Sequence, residues 1–159
     1  MAKTTCDICD EYPSIIQIAE PLFHSYGGRP SFSGRIATIK CHEDNSRFRE
    51  LILQDGAGRV IVMDGGGSLR RALVGDQLAG VAQANGWQGI VVHGAVRDAE
   101  ILVNLPIGVF AVGLCPLRPL NAGGGEQGIT VRFAGVDFVP GHHLYADQNG
   151  IVVAPHALD

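Results

Sequence analysis

The chain has 159 residues, of which 46% are apolar and 18% charged, with a formal net charge of −4. That composition excludes a disordered chain, and the acidic balance argues against a nucleic-acid-binding module. No apolar run approaches the roughly 18 residues of a membrane span, and a length near one domain's worth of chain predicts a single domain over residues 1–159.

The first dozen residues hold Asp7, Asp10 and Glu11 and no apolar core, which is not a signal peptide, so a cytoplasmic protein is expected. Thr4-Thr5-Cys6-Asp7 caps a short helix that ends near Pro13. Cys6 and Cys9 form a C-x-x-C, which is half a zinc site with no second half. They read as buried thiols at the start of that helix. Ile15, Ile16 and Ile18 make a second apolar segment, and Gly27-Gly28-Arg29-Pro30 a loop. Residues 34–40 alternate and are β-branched, which predicts a strand. Phe48, Leu51 and Ile52 have helical spacing behind a cap at Asn45 or Ser46.

Residues 59–64, Arg59-Val60-Ile61-Val62-Met63-Asp64, hold a short, continuous apolar run, as in strands buried on both faces. After the glycine loop 65–68, residues 69–74 look like a helical turn. Gly75-Asp76 opens a longer helix through Asn85, ended by Gly86. Residues 89–93 are a second buried strand, and the two strands with their helix form one βαβ unit. From residue 107 the pattern becomes mostly β. Strands are predicted at 109–113, 129–133, 136–139, 143–146 and 151–153, with 116–128 as a loop and Asn149-Gly150 as a hairpin signal.

Three polar clusters follow the strand ends, where ligands of open α/β sheets bind. The first is Asp64-Gly65-Gly66-Gly67-Ser68-Leu69-Arg70-Arg71, neither a P-loop nor a G-x-G-x-x-G. Taken alone it is equally a glycine turn with two solvated arginines. The second is Gly75-Asp76-Gln77-Leu78, a helix start whose free N–H groups suit a small carboxylate. Taken alone it is a glycine break with Asp76 as cap. The third is Arg97-Asp98. Arg clamps a carboxylate or steadies an enolate oxygen, and a lone Asp holds a hard cation with water in the other positions. Taken alone it is a surface ion pair. One βαβ unit brings all three to the same sheet edge. The histidines lack H-E-x-x-H spacing, and His142-His143 would point to opposite faces of a strand.

The stretches Cys9-Asp10, Glu20-Pro21-Leu22-Phe23, Tyr26-Gly27-Gly28-Arg29, Glu43-Asp44-Asn45, Val62-Met63-Asp64-Gly65-Gly66-Gly67-Ser68, Gly94-Ala95-Val96-Arg97-Asp98 and Leu144-Tyr145-Ala146-Asp147 make the chain resemble the RraA family over essentially its whole length. Close relatives in that family include the 4-hydroxy-4-methyl-2-oxoglutarate aldolases. The resemblance implies an α/β fold of the swivelling β/β/α type and ring-shaped homotrimers, in some members stacked into hexamers. It implies either of two functions. Some members are divalent-metal-dependent aldolases that release pyruvate and also decarboxylate oxaloacetate. Others bind and inhibit the endoribonuclease RNase E.

By the same resemblance, the backbone of Gly75, Asp76, Gln77 and Leu78 binds the carboxylate of a 2-oxo acid substrate. Arg97 holds the substrate and its enolate oxygen, and Asp98 anchors Mg²⁺ or Mn²⁺ largely through water. Members known chiefly as ribonuclease regulators can lack this aspartate; Asp98 is present here, which favours the enzyme. The aldolases usually carry a further acid three positions after the Asp, where this chain has Ile101, with Glu100 one position earlier. The family often has Asp after Pro-Gly in the last hairpin, where this chain has His142. Neither lysine, Lys3 or Lys40, lies in a strand-end loop, so Schiff-base chemistry is not expected.

Overall fold

The structure, a computed structural model, describes residues 2–158. In chain order its elements are α1 (Thr5–Glu11), β1 (Gln17–Ile18), β2 (His24–Ser25), β3 (Phe32–Lys40), α2 (Ser46–Leu51), β4 (Val60–Asp64), β5 (Ala72–Val74) and α3 (Asp76–Ala84). They continue as β6 (Gly89–Val96), α4 (Ala99–Leu102), β7 (Gly108–Leu114), β8 (Glu126–Gln127), β9 (Val131–Phe133), β10 (Val136–Phe138), β11 (His143–Asp147) and β12 (Gly150–Ala154).

The main sheet runs β1-β12-β11-β3-β4-β6-β7-β2. Its centre, β3-β4-β6-β7, is parallel. The flanking strands β11, β12, β1 and β2 pair antiparallel. Burial explains the continuous apolar runs. Every residue of β4 is buried, because its two faces feed different cores. Ile61 and Met63 pack with Phe48, Leu51, Ala79, Ala82 and Leu102 of the helices. Val60 and Val62 pack on the other side with Phe133, Val136 and Phe138 of the β9–β10 hairpin and with Leu144. The layering is therefore β/β/α, as the resemblance implied. Fully burying each such side chain contributes about 1.5–3 kcal/mol.

Phe32 locks the start of the parallel sheet. Gly89 and Gly108 are register partners on β6 and β7. A Cβ at either would run into the Phe32 ring, so the aromatic ring lies directly on bare backbone. Among the described residues no helix is long and apolar enough to cross a membrane.

Three expectations need correction. Residues 69–74 are not a helical turn: 69–71 are irregular and 72–74 form the strand β5, parallel to β6. All three are buried, and a buried backbone takes ladder hydrogen bonds wherever a strand end is open beside it. The last hairpin turns on Gln148-Asn149, one residue early, since Asp147 pairs with Gly150. The Asp147 carboxylate fixes that turn by accepting the Asn149 N–H at 2.9 Å. Cys6 is exposed and Cys9 only partly buried, because Ile8, not Cys6, is the residue of α1 that enters the core.

Candidate active site

The site forms where β6 ends. Arg97 N–H donates to the Val74 carbonyl at 3.0 Å, so β5 guides the chain beyond Val96. Asp98 then takes a left-handed backbone, φ 62° and ψ 41°. This turns the chain into α4, whose Ile101 and Leu102 N–H groups donate to the Asp98 carbonyl at 2.9 Å each. Aspartate tolerates that region better than most residues, at a cost on the order of 1 kcal/mol. The turn also redirects the side chain. Asp98 is the N-cap of α4, yet its side chain makes no capping bond there; its Oδ2 instead accepts the Asp76 N–H at the start of α3, at 3.1 Å.

Gly75 makes this contact possible. It is the N-cap of α3 with an extended backbone, which any residue could adopt. What it supplies is room: a Cβ there would lie 2.7 Å from Asp98 Oδ2 and 3.4 Å from the Cγ and Nε of Arg97. Arg97 Nε lies 3.9 Å from Asp98 Oδ2, with side chains 39% and 29% exposed. Such a pair is weak in water, and it leaves the guanidinium able to turn to a ligand. Arg97 Nη1 also reaches the Pro116 carbonyl at 3.4 Å. The N–H groups of Gln77 and Leu78 have no acceptor among the described residues. They sit in the first turn of a nine-residue helix, where the dipole favours an anion. Gly75, Asp76, Gln77, Leu78, Arg97 and Asp98 thus converge: two of the three sequence clusters meet.

Asp98 also suits a hard cation of one kind. Its Oδ1 takes no hydrogen bond among the described residues, and the side chain is partly open to water. No group of three or more His, Cys, Asp or Glu residues could hold a metal ion among the described residues. That excludes an all-protein cage there. It fits Mg²⁺, which keeps several waters and uses one or two carboxylates plus substrate oxygens.

The polar side chains of the first cluster have other partners. Arg70 pairs with Glu43 at 2.6 Å, and Ser68 Oγ donates to Glu43 at 2.7 Å. Arg71 donates to the Arg118 carbonyl. Asp64 lies beside His93, with Oδ1 3.4 Å from Nδ1. The His93 ring stacks on Phe133, with centroids 4.7 Å apart. Burial pushes the Asp64 carboxyl up, but the hydrogen bonds from His93 and the Gly66 N–H outweigh it and hold it below the usual range. The Gly65 and Gly67 N–H groups both donate to the His93 carbonyl, so the glycine run closes on backbone. Sequence reasoning missed Glu43 as the hub of this cluster. The one local signal, a charged residue before Asp-Asn, gives no hint of its φ of 58°. Ile101, where the resemblance implied an acid, is exposed on α4.

A protein of Xanthomonas campestris pv. campestris named "Putative 4-hydroxy-4-methyl-2-oxoglutarate aldolase" is 57% identical over 99% of this chain and 95% of its own. The structure of the RNA-processing inhibitor RraA from Thermus thermophilis is 42% identical, with a TM-score of 0.96 over 100% of this chain and 96% of that one. A Geobacillus kaustophilus structure titled as an S-adenosylmethionine:2-dimethylmenaquinone methyltransferase has the same identity and TM-score, over 98% and 97% of the two chains. Three functional names on one fold show that the fold does not choose among them. The family model described as RraA-like, Aldolase/RraA, matches residues 5–153, and the chain belongs to that family.

Proposed function

We propose that this protein is a divalent-metal-dependent aldolase that cleaves 4-hydroxy-4-methyl-2-oxoglutarate to pyruvate and also decarboxylates oxaloacetate. The observation that carries the reading is the meeting of Arg97 and Asp98 with the open N-terminus of α3. The names of the aldolase relatives at 57% and 51% identity support it.

Both reactions pass through a pyruvate enolate. The substrate carboxylate is received by the Gln77 and Leu78 N–H groups. Arg97 faces the 2-oxo oxygen, where negative charge develops. Such a preorganised donor is worth about 3–4 kcal/mol of barrier. Asp98 would hold Mg²⁺ or Mn²⁺, which when bound supplies Lewis-acid polarisation of the 2-oxo acid. In the same reading the protein is a cytoplasmic homotrimer. Its free thiols suit a reducing compartment. Exposed Leu114 and Leu117 flank Pro116, whose carbonyl meets Arg97, so a neighbouring subunit would cover the site's rim.

The test is pyruvate release from each substrate, coupled to lactate dehydrogenase, with Mg²⁺ and with EDTA, for the native chain and Arg97→Ala. Chelator-sensitive release, lowered by roughly 10²–10³ in the variant, is expected. Release no faster than the metal-only blank overturns the reading.

The likeness to the Thermus RNA-processing inhibitor supports a second function, binding and inhibition of RNase E. It predicts inhibition of RNase E cleavage that EDTA-treated protein retains. The two functions are compatible.

A further inference from the structure

A second constellation lies at the amino ends of the parallel strands, the edge opposite Arg97 and Asp98. Arg35 and Arg59 stand one residue ahead of the first β3–β4 register pair, Ile36 with Val60. In a parallel ladder that makes them neighbours. Their parity puts both on the face of Ile39, Ile61 and Met63, the side covered by helices. Both line a cleft of about 540 Å³, together with Gln54 and with Ala37 and Leu51 as apolar floor.

Like charges side by side on one sheet face repel. No ion pair among the described residues relieves these two. Of the nearby carboxylates, Glu50 pairs with Arg47 at 3.2 Å, and Asp55, whose Oδ1 accepts the Ala57 N–H at 3.0 Å, forms no ion pair with either arginine. His143, the cross-strand partner of Arg35, brings no negative charge. Arg59 is held in place. Its Nε donates to the Gly56 carbonyl at 3.0 Å and its Nη2 to the Asp55 carbonyl at 3.1 Å. Its guanidinium lies over the Trp87 ring, 4.5 Å from the centroid. Its Nη1, and the whole Arg35 guanidinium, have no acceptor among the described residues.

We propose that this cleft binds a small organic anion, with its carboxylate or phosphate group between Arg35 and Arg59 and its body over Ala37 and Leu51. The guanidinium fork matches both groups in the same bidentate way. The fixed Arg59 has little freedom left to lose on binding. The bound anion supplies the negative charge that no ion pair among the described residues brings to these two arginines.

Trp87 reports on this cleft directly, being the one tryptophan of the chain and in contact with Arg59. The experiment titrates the full chain with citrate and, separately, with glycerol 3-phosphate at constant ionic strength. It follows Trp87 emission and the backbone amide resonances of Arg35 and Arg59. A saturable change with either anion is expected, and the more tightly bound one identifies the carboxylate or the phosphate as the recognised group. Arg35→Gln, at an exposed strand position that the fold does not need, should weaken binding by at least about tenfold. Arg97→Ala should leave it unchanged. No saturable change with either anion overturns the proposal. So does a change that Arg97→Ala removes and Arg35→Gln retains, which would move the anion to the other edge of the sheet.

Discussion

The Asp98 carboxylate accepts the Asp76 backbone N–H at 3.1 Å, across 22 residues of sequence. This one bond joins the end of β6 to the start of α3. It sets where the remaining carboxylate oxygen and the free Gln77 and Leu78 N–H groups sit relative to one another.

Gly75→Ala tests how tightly that arrangement is held. Its backbone suits alanine, but the new Cβ would sit 2.7 Å from Asp98 Oδ2. The carboxylate must move. We expect near-native thermal stability with pyruvate release slowed by roughly 10²-fold, the typical cost of an ångström-scale misplacement. Equal losses of stability and rate would show that the glycine serves folding alone.

Asp98→Gly separates the backbone from the carboxylate. Losing the contact to α3 costs about 1 kcal/mol, by analogy with helix caps. Releasing the left-handed strain returns a similar amount. The urea midpoint should therefore barely shift, while chelator-sensitive turnover disappears. A variant that keeps its full rate would remove Asp98 from the chemistry.

Acid should unfold the protein through three carboxylates. Burial raises Asp44, Asp64 and Asp147, but hydrogen bonds outweigh it and hold all three below the usual range: from Ser46, from His93 and from Thr5 respectively. A carboxyl depressed in the fold gives its full stabilisation above its unfolded value, about 3.9 for Asp. It loses that stabilisation as pH falls through the folded value. Urea midpoints should therefore decline from about pH 4 downward, and Asp147→Asn should decline less steeply. Asp147 binds the Thr5 N–H and hydroxyl at 2.8 and 2.7 Å, so that variant should also lose protection of α1 amides in hydrogen exchange.

Three of the four thiols should react in a fixed order. Cys6 is exposed. Cys9 is raised first by burial and then by the neighbouring Cys6 and Asp10. Burial pushes Cys41 up to about 12. The thiolate is the nucleophile, so substoichiometric iodoacetamide followed by peptide mapping should label Cys6 before Cys9. Cys41 should be labelled only after unfolding. Early labelling of Cys41 would mean that the α2 side of the core opens readily.

The parallel centre of the sheet was legible because strands buried on both faces must be apolar throughout, and residues 60–63 and 89–92 are. The entry to α3 at Gly75-Asp76 and the placement of Arg97-Asp98 after a strand were legible for the same local reason. A break in apolar patterning marks where a strand stops. The sequence by itself thus determined the doubly buried strands and which residues lie at the strand ends. Only the tertiary structure decided what those residues face. Residues 72–74 became a strand because β6 offered an open edge, a partner more than twenty residues away that no local window contains. Asp98 turned toward α3 because of a left-handed backbone angle that its side chain permits but does not dictate. Arg70 went to Glu43 and Arg97 to Asp98 and the Pro116 carbonyl, although both arginines follow strand ends. Composition and periodicity report the burial of a residue, a one-dimensional average. The direction of a side chain depends on backbone angles and on neighbours brought in from elsewhere in the chain.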